Sequence, residues 1–240
     1  MNSSKTVLIT GSTRGIGLAV AKRLAADGYA VVVHGRSIEK ARAAAESIAA
    51  AGGAARAIAF DVTDREAAAR ALEADIEEFG AYWGIILNAG IHDDVPLVGM
   101  EPETWDKVID ADLNSFYNVL RPSLMPTIRK RRGRVLVVSS ISGIIGTRGQ
   151  TNYSAAKAGL IGAAKALGAE VAAKGVTVNV LAPGLIDTDM PDEEAKERIT
   201  PMIPMRRAGR PEEVAAAAAF FMSEESSYIT RAVLPISGGL

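Results

Sequence analysis

Short unbroken apolar runs recur along the 240-residue chain, and between them lie segments whose apolar positions follow a helical period. Residues 7–10 form the first run, ending at a glycine. Residues 15–27 follow with Ile16, Val20 and Leu24 on one face and Gly28 as a stop, which predicts a helix. A second strand is expected at 30–34, and Ser37 caps an alanine-rich helix to about residue 51. A third strand at 55–60 precedes a helix capped by Asp64 and reaching residue 79, and a fourth strand falls at 85–88. Two helices are expected next, at 103–110 and 113–130, then a fifth strand at 134–138 and a helix over 151–174. A sixth strand at 176–181, a polar segment at 187–209, a helix at 211–222 and a seventh strand at 232–236 complete the pattern. Strands that are apolar throughout must be covered on both faces, and helices between them supply the parallel crossovers. The pattern predicts an α/β fold with a doubly wound seven-stranded parallel sheet and helices on both faces, one domain over residues 1–240. Its ligand crevice belongs at the carboxyl ends of the strands.

Composition narrows the chemistry. The hydrophobic fraction of 48% is enough for a full core, and the net charge of −1 argues against a dedicated nucleic-acid or anionic-membrane binder. With no cysteine there is no disulfide, thiol nucleophile or thiolate metal site, and His34 and His92 are the only imidazoles, so no metal site is expected. No apolar run approaches the roughly 18 residues of a membrane span. The opening residues lead straight into the first strand, so a cytoplasmic protein is expected.

Two constellations carry candidate chemistry. The first is Thr10-Gly11-Ser12-Thr13-Arg14-Gly15-Ile16-Gly17, where the first strand turns into the first helix. Glycines let the chain turn sharply and let a pyrophosphate approach the helix N-terminus, where unpaired N–H groups and the dipole favour an anion. An acid about 20 residues on would hold the ribose diol of NAD. Here the second strand ends His34-Gly35-Arg36-Ser37 instead, and Arg14 with Arg36 can clamp a 2′-phosphate, which favours NADPH/NADP+. The second constellation is Ser140 and, thirteen residues on, Tyr153 with Lys157. Tyrosine and lysine four apart share a helix face, and the ammonium is expected to lower the phenol's pKa towards the range useful for proton transfer.

In these residues the chain resembles the short-chain dehydrogenase/reductase family, in its NADPH-dependent 3-oxoacyl-[acyl-carrier-protein] reductase branch, with a Rossmann-like fold. Further matches are Asp61-Val62, Asn88-Ala89-Gly90, the run from Pro183 to Met190 and the ending at Gly238-Gly239. The branch rests on Gly149-Gln150-Thr151-Asn152-Tyr153 and Tyr228-Ile229-Thr230. The resemblance implies that Gly11, Ser12, Arg14, Gly15, Ile16, Gly17, Arg36 and Ser37 hold the phosphates, with Asp61 and Val62 at the adenine. It implies Asn88, Ala89 and Gly90 at the cofactor ribose, and Pro183, Gly184, Ile186 and Thr188 at the nicotinamide amide and phosphates. Lys157 would bind the nicotinamide ribose, Ser140 the ketone oxygen, and Tyr153 would give its proton to that oxygen as general acid.

The chain departs from the family at Asp112, where an asparagine supporting a water-linked relay is common, and at Leu87, read here as the end of a buried strand. An ionised Asp112 near Lys157 would partly neutralise the ammonium and push the tyrosine's pKa up. Asp112 is therefore a tolerated substitute, a relay member or a mark of lost activity.

Arg131, in the basic run 129–134, and Lys174, expected to join that run in space, match positions that the family uses, near the cleft, to receive an acidic acyl carrier protein. A solvated helix end explains the same charges. Arg148 and His92 could border the cleft. The polar segment 187–209, with Pro201, Pro204 and Met190, Met202 and Met205, is expected to form a mobile lid with an adaptable apolar wall. The residue 153–174 helix is apolar all round, and with the 113–130 helix it implies a homo-dimer or homo-tetramer. Reduction of a 3-oxoacyl thioester in fatty-acid or polyketide-like synthesis is the expected activity. The basic run and residues 81–84 would also suit a polyene-type carrier substrate. The alternatives are an NADP-dependent reductase of a free small molecule and a catalytically impaired NADPH-binding subunit.

Overall fold

The computed structural model describes residues 5–189 and 193–240, so Met190 lies outside the described residues. Seven parallel strands form one sheet in the order β3-β2-β1-β4-β5-β6-β7. They are β1 (Thr6–Ile9), β2 (Ala30–Gly35), β3 (Ala54–Ala59), β4 (Gly84–Leu87), β5 (Gly133–Val138), β6 (Val176–Pro183) and β7 (Val233–Ile236). The strand order reverses between β1 and β4, where Val7 lies beside Gly84. The chain leaves these two strands for helices on opposite faces of the sheet, and in such a sheet the ligand crevice lies at their carboxyl ends.

Helices α1 (Gly15–Ala26), α2 (Ile38–Ala50) and α9 (Pro211–Met222) cover one face of the sheet, and α3 (Arg65–Phe79), α5 (Ser115–Arg129) and α7 (Thr151–Val171) cover the other. The first layer packs Val20, Leu24, Ile48, Phe221 and Met222 against Val31 and Val33. The second packs Leu72, Val119, Leu120 and Leu160 against Val32, Val135 and Val137. Local signals fix the helix starts. The Ser37 side chain accepts the Lys40 N–H at 3.2 Å, Asp64 accepts that of Ala67 at 2.9 Å, and Pro211 opens α9. Leu87 is buried at the end of β4, as expected.

Three segments differ from expectation. Between α4 (Pro102–Ile109) and α5 the chain neither breaks nor continues as α-helix: Asp110–Asn114 is a single π-helical turn. Ser142–Ile145 forms a short helical turn, α6, after β5. Within the expected lid, Glu193–Ile199 is helical (α8), where Lys196 ties back to Asp187 and Glu193, each at 2.8 Å. The ends of that segment are closed by backbone bonds from Gly209 N–H to Leu185 and from Asp187 N–H to Gly209.

Candidate active site

The turn after β1 is built for close approach. Gly11 has a positive φ of 62°, and a Cβ on it would meet Ala89 Cα at 2.9 Å. A Cβ on Gly17 would collide with the Gly11 carbonyl and come within 2.6 Å of Asn88 Nδ2 and 2.8 Å of Ser12 Cα. The loops after β1 and β4 are pinned together. Thr10 Oγ1 accepts the N–H groups of Asn88 and Ala89 at 2.9 and 3.0 Å, and Asn88 Nδ2 donates to the carbonyls of Thr10 and Gly11 at 3.1 and 3.0 Å. The Asn88 side chain is thus spent on the turn, which leaves the backbone of 88–90 to face a ribose.

Helix α1 starts at Gly15 with no side-chain cap and no acid in its first turn. Its free N–H groups and positive dipole end therefore suit a pyrophosphate. Thr188 Cγ2 lies 3.5 Å from where a Gly15 Cβ would stand, so Thr188 closes over the turn from β6. Arg14 and Arg36 are exposed, and among the described residues neither forms an ion pair. Ser37 is less available, since its hydroxyl caps α2 and donates to Glu39 at 2.7 Å. Asp61 receives the N–H and hydroxyl of Thr63 at 2.9 and 2.8 Å. Against the effect of burial, those bonds and the nearby Arg36 guanidinium hold its carboxyl below the usual range. Val62 is buried in the core. The Ile186 side chain packs into the α1–α9 layer, which leaves its backbone to face a nicotinamide. Pro183 ends β6 and accepts the Ile141 N–H at 2.8 Å, and Gly184 lies close against Ser237.

Ser140, Tyr153, Lys157 and Asp112 converge beside this turn. Ser140 follows β5, and its Oγ accepts the Ser142 N–H at 3.1 Å beside the Tyr153 phenol. Tyr153 and Lys157 lie on one face of α7, with Nζ 5.3 Å from the phenol ring centre. The π turn carries Asp112 inward, where it is buried. Its Oδ1 accepts the Ile91 N–H at 2.7 Å, and its Oδ2 stands 2.9 Å from Lys157 Nζ. A π turn at such a spot is a frequent device for aiming one side chain. Room for the pair exists because position 90 is glycine: a Cβ there would lie 3.0 Å from both Asp112 Oδ2 and Lys157 Nζ.

The electrostatics correct one expectation. Tyr153's pKa sits above its ordinary value, not below it. Burial pushes it up, Lys157 pulls it down, and Asp112 pushes it up again. Burial works to lower Lys157, but the Asp112 carboxylate, followed by Tyr153, outweighs it and Lys157 remains an ammonium.

Sequence reasoning missed the hydrogen-bonded wall beyond Ser140. Ser142 Oγ donates to Gln150 Oε1 at 3.0 Å, Gln150 Nε2 donates to Asp94 Oδ2 at 2.7 Å, and Asp94 Oδ1 lies 3.1 Å from His92 Nδ1. His92 does border the site, its ring edge-on to Tyr153 at 6.4 Å. The only sequence signal was Gln150 three residues before the tyrosine. Exposed Leu97, Val98, Ile144, Ile145 and Met202 stand on the segments that follow β4, β5 and β6, giving the crevice edge apolar lips.

The basic residues are elsewhere. Arg131 and Lys174 do come together, with the Arg131 guanidinium donating to Ala173 O at 3.3 Å. They immediately precede β5 and β6, whereas Ser140 and Pro183 lie at the other ends of those strands. The six residues of β5 put the pair about 20 Å from the crevice. Arg134 is withdrawn from the run: it is buried, stacks on Trp83 and pairs with Glu224 at 3.1 Å. Tyr82 and Trp83 are also core residues, bonded to Asp75 and Met222, so residues 81–84 say nothing about substrate. Among the described residues, no group of three metal-binding side chains is assembled, and no helix is long and apolar enough to cross a membrane.

A parallel sheet of this order, with a glycine turn at its switch point and a serine, tyrosine and lysine gathered beside it, defines a dinucleotide-dependent oxidoreductase fold. The chain belongs to the short-chain dehydrogenase/reductase family: the family model described as enoyl-(acyl carrier protein) reductase matches residues 11–240. It is 52% identical over 240 residues to the 3-oxoacyl-[acyl-carrier-protein] reductase FabG of Aggregatibacter actinomycetemcomitans, covering 99% of each chain. It is 41% identical to the protein of that name from Chlamydia trachomatis (99% of this chain, 97% of the other) and 39% to that of Escherichia coli K12 (98% and 97%).

Proposed function

We propose that this chain reduces the 3-oxo group of an acyl thioester, carried on an acyl carrier protein or coenzyme A, with NADPH as reductant. The observation that carries the reading is Ser140, Tyr153 and Lys157 gathered against the glycine turn. Full-length similarity to 3-oxoacyl-[acyl-carrier-protein] reductases supports the substrate class. When bound, NADPH supplies the hydride for the carbonyl carbon. Arg14 and Arg36 hold its 2′-phosphate, the α1 N-terminus its pyrophosphate, and Lys157 its nicotinamide ribose. Ser140 Oγ holds the substrate oxygen, and Tyr153 gives that oxygen its proton. The apolar lips formed by Leu97, Val98, Ile144, Ile145 and Met202 accept the acyl chain. The protein acts in the cytoplasm, in fatty-acid synthesis.

The 2′-phosphate assignment is tested by cofactor choice. Arg36→Ala is expected to raise KM for NADPH about ten-fold while leaving KM for NADH near its original value, since a charge-assisted contact contributes roughly 1.5–3 kcal/mol. Equal effects on both cofactors would contradict it.

Asp112 is proposed as a positioning residue that keeps Lys157 charged and the Tyr153 proton in place. In the oxidising direction Tyr153 must be phenolate, so activity rises with pH through its pKa. Removing the carboxylate removes a cause that raises this pKa, so Asp112→Asn should move that limb to lower pH. A limb at unchanged pH would sink the assignment. A several-fold gain in reducing turnover would instead favour the impaired-subunit reading.

Arg131 and Lys174 are the proposed contact for an acidic carrier protein, made at a distance from the crevice of their own protomer. A homo-dimer or homo-tetramer is proposed on the exposed Tyr117 and Met125 of α5 and the exposed small residues Ala155, Ala158 and Gly162 of α7. The remoteness of the basic pair also favours a second reading, reduction of a free ketone. Competition between holo-carrier protein and an acyl-pantetheine separates the two.

A further inference from the structure

His34 is buried in β2 and takes no part in the proposed proton transfer, yet both of its ring nitrogens are engaged. Nδ1 lies 3.1 Å from the Gly11 N–H and Nε2 lies 3.0 Å from Phe60 O. A backbone N–H can only donate and a carbonyl can only accept, so the imidazole must be neutral with its proton on Nε2. The same residue's backbone holds Ser12: Ser12 N–H donates to His34 O at 2.9 Å, and His34 N–H donates to Ser12 Oγ at 3.0 Å. Ser12 Oγ in turn donates to Ile9 O at 2.7 Å. One residue thus ties the first two positions of the glycine turn to β2 and to the end of β3, directly before Asp61 and Val62. The ring also packs against Phe60, with 4.0 Å between centres and the planes tilted by 42°.

We infer that His34 is a positioning residue for the cofactor: its unprotonated Nδ1 presets the phosphate-binding turn by accepting the Gly11 N–H. The inference rests on the proposed NADPH site. Burial pushes the imidazole down to about 4, outweighing the Phe60 carbonyl and, among charged groups, Asp61 at the end of β3, both of which favour its protonation. The ring therefore stays neutral throughout the neutral range.

The pyrophosphate is common to both nicotinamide cofactors, so the role has a signature distinct from that of Arg36. His34→Leu leaves the Gly11 N–H without an acceptor and is expected to raise KM for NADPH and for NADH by the same factor, about ten-fold, with kcat at saturating cofactor changed less than about two-fold. His34→Asn, whose Oδ1 can stand where Nδ1 stood, is expected to restore KM to within about three-fold. Nitrogen-15 NMR provides a test that does not depend on either variant folding: with only two histidines in the chain, His34 should appear as the neutral Nε2–H tautomer at pH 7, before and after NADPH is added. An Nδ1–H tautomer, or a His34→Leu enzyme with lower Tm but unchanged KM for both cofactors, would overturn the inference. A wild-type protein that binds neither cofactor would remove the proposed function itself, and the role of His34 with it.

Discussion

Tyr153→Phe is expected to lower kcat for NADPH-dependent reduction of an acetoacetyl thioester by about 10³-fold, within the usual range for loss of a general acid. The substitution removes one oxygen. The ring, its packing and the Asp112–Lys157 pair at 2.9 Å stay, and Ser140 keeps its bond from the Ser142 N–H. NADPH affinity should therefore change little, because the glycine turn and Arg14 and Arg36 do not touch the phenol oxygen. Titration of NADPH fluorescence alongside steady-state rates separates the two effects. A matching fall in affinity, or a kcat within ten-fold of wild type, would mean that another group supplies the proton.

Gly17→Ala acts at the other end of the site. The added methyl has nowhere to go: it would collide with the Gly11 carbonyl and press on Asn88 Nδ2 and Ser12 Cα, all of them held in place by hydrogen bonds. Overpacking of this kind costs about 1–3 kcal/mol, and if the turn relaxes to relieve it, NADPH affinity should fall by about 10- to 100-fold. Thermal melts with and without NADPH provide the check, with the cofactor-induced rise in Tm lost in the variant. A variant stabilised by NADPH as much as wild type would show that the turn is not the phosphate cradle.

Much of this site was legible in the sequence because its signals are local. The glycine turn lies within eight residues, Tyr153 and Lys157 share a helix face by spacing alone, and Ser37, Asp64 and Pro211 mark helix starts by their own side-chain chemistry. Strands covered on both faces read as plain apolar runs, so the sheet was legible too. What escaped depends on contacts between distant segments. Nothing in the residue 110–114 sequence marks a π turn, whose reason is the meeting of Asp112 with Ile91 and Lys157. The chain from Ser142 to His92 needs the loops after β4 and β5 side by side. The rise in Tyr153's pKa comes from burial, which helix spacing cannot reveal. Helix α8 looked like polar loop because its lysine finds its partner, Asp187, across the segment. The position of Arg131 and Lys174 follows from strand direction alone, since both precede parallel strands whose far ends carry the chemistry.

The central claim is reduction of a 3-oxoacyl thioester by NADPH. Its most direct test is purified protein with NADPH and acetoacetyl-pantetheine, followed by loss of absorbance of the reduced nicotinamide and by analysis of the thioester product. The account predicts one 3-hydroxybutyryl thioester formed per NADPH consumed, with NADH much less effective. NADPH that binds tightly, as shown by its fluorescence, but is not consumed in the presence of acetoacetyl-pantetheine or acetoacetyl-carrier protein would contradict it.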